Sequence, residues 1–126
     1  MPPAGKTCNR WVLVRKVDAR AIGTCGFHRW DARHHSCEVG YDLEPASWGQ
    51  GYMAEALSTA LGFGFREMDL NRVAAIVSPE NAASLRLLEK LGFVREGLMR
   101  ESLCRAGVYH DHWLLSLLKG DHTIVE

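Results

Sequence analysis

The stretch Glu44-Pro45-Ala46-Ser47-Trp48-Gly49-Gln50-Gly51-Tyr52-Met53-Ala54-Glu55-Ala56 restricts this chain more than any other. Two glycines separated by one residue let the backbone turn without a Cβ penalty and come close to a ligand. From Gly51 to Met68, Leu57, Ala60, Leu61, Gly64 and Met68 recur at helical spacing on one face. Upstream, Cys37 to Leu43 alternates in part, as a strand does. A strand that turns on glycines into a long helix points unpaired N–H groups and a positive dipole end outward. That is an anion site, suited to a pyrophosphate. On G-x-G alone, a plain glycine turn is an equal alternative. Neither a nucleotide P-loop nor a dinucleotide G-x-G-x-x-G is present.

The other elements follow from the same periodicities. Trp11 to Val17 and Ala21 to Phe27 read as strands, with polar Arg29 to His35 as a hairpin loop before the third strand. Arg72 to Val77 (RVAAIV) reads as a short buried strand, and Ala82 to Leu91 as a second helix. Ser78 to Asn81 supply its cap and turn, and Gly92 its stop. Phe93 to Arg100 and His110 to Leu118 read as two last strands joined by a loop containing Gly107. Three strands, helix, strand, helix, two strands: this order predicts an α/β (α+β) mixed sheet with helices packed on it. The strand–helix–strand run from Cys37 to Val77 predicts one parallel pair.

At 126 residues the chain fits a single domain, expected over 10–120 between a polar leader (1–9) and a short tail (121–126). Fifteen basic residues balance fifteen acidic ones, which argues against nucleic acid as the main partner. Cys8, Cys25, Cys37 and Cys104 show no C-x-x-C pairing and read as reduced, mostly buried thiols. No segment has the length of a membrane span and Met1 to Arg10 lacks a signal-peptide core, so no membrane partner and a cytoplasmic location are expected.

Two runs, GYDLEPASWGQGYMAEAL and NRVAAIVSPENAASLRLLEKLGFVREG, together resemble the core of the GNAT acetyltransferases. The first matches that family's pyrophosphate loop, [RQ]-x-x-G-x-[GA], at Trp48, Gly49, Gln50, Gly51, Tyr52 and Met53. Trp48 departs from its first position in the manner of the RimJ/RimL-like branch, and Met53 replaces the usual small residue. The second, N-x-x-S-x-x-L-x-x-K-x-G-F, is present as Asn81, Ser84, Leu87, Lys90, Gly92 and Phe93. The resemblance covers roughly Val39 to Leu118. It implies a GNAT-like acyl-CoA N-acyltransferase fold, acetyl-CoA as co-substrate and a primary amine as acceptor: a protein N-terminus, a polyamine or a small amine.

Residue by residue, the resemblance implies that Val39, Gly40, Tyr41 and Leu43 pair with a pantetheine arm as an added strand would. Backbone N–H groups of Gly49 to Ala54 would hold the pyrophosphate. Asn81 would contact the cofactor, a role that can coexist with capping the helix, and Ser84 would support it. Glu38 matches a glutamate that serves as base in some members; a surface carboxylate is its equal alternative. Tyr109 is a candidate acid beside the departing sulfur, against a packed or rim residue, and Ser84 is its substitute. His28 and Trp30 are candidate walls of the acceptor pocket. His110 and His112, with His34 and His35, suggest metal, but no third ligand has suitable spacing and Asp111 resembles a structural aspartate, so none is expected.

The family's domains usually begin with a strand and two helices, for which only about ten residues stand here, so the fold is expected to lack them. Such a sheet would expose an edge, and a homodimer is one expected consequence. Two functional classes follow: an active N-acetyltransferase, or a catalytically weak acyl-CoA-binding module that lost its acceptor half.

Overall fold

The computed structural model describes residues 9–122. The chain forms β1 (Asn9–Arg15), β2 (Arg20–Asp31), β3 (Ser36–Leu43), a 3-10 turn (Pro45–Ser47), α1 (Tyr52–Glu67), β4 (Arg72–Val77), α2 (Ala82–Lys90), β5 (Val94–Arg105) and β6 (Val108–Leu118). The strands make one sheet in the order β1-β2-β3-β4-β6-β5. Among the described strands only β3 and β4 pair in parallel. This is the mixed α/β sheet that the order of elements predicts.

Both helices lie on one face. Alternation along the strands puts Trp11, Leu13, Cys25, Phe27, Cys37, Val39, Val73, Ala75, Leu115 and Leu117 there, in one core with Leu57, Leu61 and Phe65 of α1 and Leu85 and Leu88 of α2. Gly64 lets α1 press against the sheet, since a Cβ there would begin 3.1 Å from the Phe27 ring. Trp11 meets Phe27 and Phe63 edge to face at 5.8 and 5.5 Å. No described helix covers the opposite face, where Val12 stays 61% and Ile76 40% exposed.

The structure corrects several boundaries. The polar segment Arg29 to His35 is not all loop: β2 continues to Asp31 through an irregularity after His28, with Arg29 at φ 52°. The turn proper is held by Asp31, whose Oδ1 accepts the N–H groups of Arg33 and His34 at 3.0 and 3.1 Å. β1 starts at Asn9 and stops before the exposed Val17, because the chain turns where Arg15 pairs with Asp18. Asn9, assigned to the leader, is therefore part of the sheet. Residues 1–8 of that leader and 123–126 of the tail lie outside the described residues. The last hairpin is longer than expected, closing on Ala106 and Gly107 at φ 52° and 78°, the left-handed pair of a tight hairpin turn.

Among the described residues, Cys25, Cys37 and Cys104 are free thiols. Cys25 and Cys37 are buried, as expected of most of these sulfurs, and Cys104 is exposed. Cys8 lies outside the described residues. Burial, reinforced by the neighbouring Glu38, pushes the Cys37 thiol up to about 12, and burial also raises Cys25. At pH 8 an alkylating reagent should therefore label Cys104 in the native chain and reach Cys25 and Cys37 only in denaturant. Peptide mapping by mass spectrometry checks this, and fast native labelling of Cys37 would contradict it.

Candidate active site

β3 and β4 pair over only three rungs, Ser36–Arg72, Cys37–Val73 and Glu38–Ala74. Past them the strands part company. β3 follows β2 as far as Leu43 opposite Gly23, while β4 follows β6 as far as Val77 opposite Trp113. Between them a slot opens in the middle of the sheet. The N–H of Glu44 bonds the Ile22 carbonyl at 2.8 Å, so the even-numbered positions of β3 face β2. The main-chain groups of Val39, Tyr41 and Leu43 then lie on the slot side. Tyr41 and Leu43 have no strand opposite them, which is the geometry an added strand or an amide-bearing ligand needs.

The glycine loop closes one end of the slot. Arg20 bonds Glu44 at 2.8 Å, Glu44 accepts the Ser47 hydroxyl at 3.1 Å, and the Trp48 indole donates to the Leu43 carbonyl at 2.8 Å. The tryptophan that departs from the family pattern thus folds the loop back onto the end of β3. Gly49 and Gly51 both take φ near +80° (76° and 80°), so glycine is needed for the backbone itself. A Cβ at either position would meet no protein atom within 4 Å, so the loop's outer side is open. Gly51 caps α1 without a side-chain bond, and Glu55 N–H to the Gly51 carbonyl opens the helical ladder. The N–H groups of Tyr52, Met53 and Ala54 precede that bond and remain outside it. A pyrophosphate fits these donors and the open side of the loop. Met53 points into the core, so its bulk does not obstruct that side. Gln50 is exposed.

α2 flanks the slot. Asn81 caps it by accepting the Ser84 N–H at 3.1 Å, as capping chemistry predicts. Ser84 Oγ makes a short hydrogen bond with Tyr41 Oη, tying α2 to β3 across the gap. Burial raises the Tyr41 phenol, and the Ser84 bond opposes that only in part, so at neutral pH the pair keeps its protons. Sequence reading gave Tyr41 a main-chain role only; strand alternation in β3, Cys37-Val39-Tyr41, marked its side chain for the helix face.

On the opposite face, Glu38 receives His28 Nε2 at 2.9 Å and Arg29 Nη1 at 3.4 Å. Trp30 packs against the core on the helix face and is not beside His28. Tyr109 is brought near none of these groups. It pairs with Cys104 near the end of the β5–β6 hairpin, 64% exposed, four residues beyond the last rung with β4. Asp111 accepts the Glu101 N–H at 2.7 Å, a structural role, and His112 Nδ1 meets Ser102 Oγ at 3.2 Å. No group of three metal-ligating side chains occurs among the described residues. No described helix is long and apolar enough to cross a membrane. A separate cavity of about 510 Å³ lies between β1 and α1, and Glu38, Tyr41, Asn81 and Ser84 do not line it.

The model of the acetyltransferase (GNAT) domain matches residues 2–94. The chain belongs to that family. An uncharacterised N-acetyltransferase, p20, of Bacillus licheniformis is 40% identical over 91% of this chain and 65% of its own length. A ribosomal-protein-S5-alanine acetyltransferase from Vibrio fischeri superposes with a TM-score of 0.84 at 30% identity, over 93% of this chain and 64% of that one. A spermidine N-acetyltransferase from Vibrio cholerae, in a mutant form, gives 0.85 at 25% identity, over 93% and 67%. The chain spans less than two thirds of the first relatives it matches, 65% and 62% of their lengths.

Asn81 holds the N-terminus of α2 at the slot, so Asn81→Ala should lower the unfolding free energy by about 1 kcal/mol. The expected reading is a lower urea midpoint with an unchanged slope; an unchanged midpoint would contradict the capping role.

Proposed function

We propose that this chain transfers an acetyl group from acetyl-CoA to a primary amine, the slot between β3 and β4 being the place where the thioester arm lies. The observation that carries this reading is the early end of the β3–β4 pairing beside a helix N-terminus reached through two left-handed glycines. When bound, acetyl-CoA supplies a thioester carbonyl for the amine to attack. The protein's part is then to hold and orient. Main-chain groups of Val39, Tyr41 and Leu43 align the pantetheine arm by strand-like pairing, while those of Gly40 face β2. Backbone donors from Gly49 through Ala54, those of Gln50, Gly51, Tyr52 and Met53 included, take the pyrophosphate, while both Trp48 donors are spent on Pro45 and Leu43. Asn81 and Ser84 border the arm from α2. The Tyr41–Ser84 pair, still protonated at neutral pH, serves the departing thiolate, in place of the distant Tyr109. Glu38, at the last paired rung, stands at the slot mouth, on the side where the amine's proton leaves.

The acceptor class stays broad: a protein N-terminus, a polyamine or a small amine. The S5-alanine and spermidine enzymes that share the fold support this range, and the first of them supports the RimJ/RimL-like branch. A second reading, an acyl-CoA-binding module with weak catalysis, is favoured by one observation: among the described residues no helix covers the sheet face opposite α1 and α2, where Val12 and Ile76 are exposed. A cytoplasmic setting agrees with the free thiols of Cys25, Cys37 and Cys104 among the described residues. Among the described residues β1 is an edge strand of the sheet, which supports a homodimer.

Calorimetry with acetyl-CoA tests the site. Wild type should bind, and Gly51→Trp should lose at least tenfold in affinity while staying folded at the assay temperature, its melting temperature lowered by the left-handed backbone at that position. No binding by wild type, or equal binding by a folded Gly51→Trp, would overturn the reading. Release of free thiol in an amine panel then separates transferase from binding module.

A further inference from the structure

The slot has two mouths, and a built polar group guards the one away from the helices. His28 and Glu38 face each other across β2 and β3, on the side opposite Phe27 and Val39 and therefore opposite the core. Glu38 sits on the last β3–β4 rung and Gly40 two residues further, where the strands have separated. The His28 ring leans over Gly40: a Cβ there would begin 3.2 Å from His28 Cε1 and 3.6 Å from its Nδ1. Any side chain larger than hydrogen at position 40 would push the ring away. The glycine thus lets an imidazole lie against the floor of the slot mouth.

The hydrogen bond fixes the chemistry of that ring. An ionised carboxylate only accepts, so the 2.9 Å contact with Glu38 Oε2 requires the proton on His28 Nε2. In the neutral ring Nδ1 then carries the lone pair and, among the described residues, has no hydrogen-bond partner. The carboxylate that orients it is the less exposed of the two, at 19% against 42%, and is steadied further by Arg29 at 3.4 Å. The other charged groups near the ring are Arg10 of β1, whose guanidinium reaches over Gly40, and its partner Asp42 at 3.7 Å. A carboxylate, an imidazole held in one tautomer and a bare ring nitrogen at a slot mouth make a proton acceptor with a fixed direction.

We propose that His28 is the group that takes the proton from the acceptor amine, with Glu38 as its positioning residue. This rests on the transferase reading above. The amine nitrogen bonds to the thioester carbonyl carbon, the carbon–sulfur bond breaks, the amine proton passes to His28 Nδ1, and the leaving thiolate is protonated on the opposite side of the sheet. Glu38 holds the Nε2–H and balances the imidazolium charge without itself being protonated. Acceptors consequently enter from the bare face of the sheet, and acetyl-CoA binding does not need His28.

The test pairs activity with a readout that needs no turnover. In the full chain, His28→Gln should bind acetyl-CoA as wild type does by calorimetry, lose about 100-fold in kcat/KM for the amine, and lose the acidic limb of the kcat/KM–pH profile. Glu38→Gln should keep that limb but displace it, and lower kcat/KM less. Nitrogen-15 spectra of imidazole-labelled protein without ligand should show His28 as the Nε2–H tautomer and should change in Glu38→Gln. A His28→Gln enzyme with wild-type kcat/KM, or a spectrum showing the Nδ1–H tautomer, overturns the assignment and leaves the transferase reading standing. Absence of transfer by a wild type that binds acetyl-CoA overturns both.

Discussion

The three-rung parallel pairing of β3 with β4 is the constraint on which the site depends. A longer ladder would seal the sheet, leaving the glycine loop and α2 without a cleft between them. Separation leaves backbone N–H and C=O groups without partners inside a sheet, a cost of roughly 1–3 kcal/mol for each one kept from water. The structure offsets this from both sides. β3 keeps β2 as far as Leu43, and β4 keeps β6 as far as Val77, so each strand retains one complete ladder. Trp48 takes the Leu43 carbonyl, and the Tyr41–Ser84 bond fastens α2 across the gap. The slot is a supported feature of the sheet, with a tyrosine on its helix side and an imidazole on its bare side.

Charge is arranged locally in a chain with none to spare. The net charge is zero, yet the start of α1 presents unpaired donors behind a loop whose Glu44 is turned to Arg20 and Ser47. On the bare face the ions come in pairs, Arg10 with Asp42 and Arg29 with Glu38. Exposed pairs of this kind add little stability. The Arg29 contact helps hold the Glu38 carboxyl where His28 meets it. The same bare face exposes Val12 and Ile76, side chains that a sheet normally covers.

Much of this was legible in the sequence because it is local. Helical spacing from Leu57 to Met68 and the two glycines give the α1 entry, RVAAIV gives β4 to the residue, and Asn81 and Gly92 mark both ends of α2. Boundaries failed where a local interaction outranked polarity: the Asp31 turn lets β2 run through Arg29, and the left-handed Ala106–Gly107 pair extends the last hairpin at both arms. The site was legible along the backbone and obscure in its side chains. Tyr41–Ser84 spans 43 positions and His28–Glu38 depends on strand register, so neither pairing has a spacing to read. Tyr109 drew a role from its chemistry, but the length of the hairpin carries it away from the slot.

The most direct test of the central claim is a titration of nitrogen-15-labelled protein with coenzyme A, following backbone amides. The account predicts that Tyr41, Leu43 and Gly49 to Ala54 shift together and slow their hydrogen exchange, while β1 stays unchanged. Shifts confined to the cavity between β1 and α1, at Trp11, Ala56 and Phe63, with the slot amides silent, would contradict it.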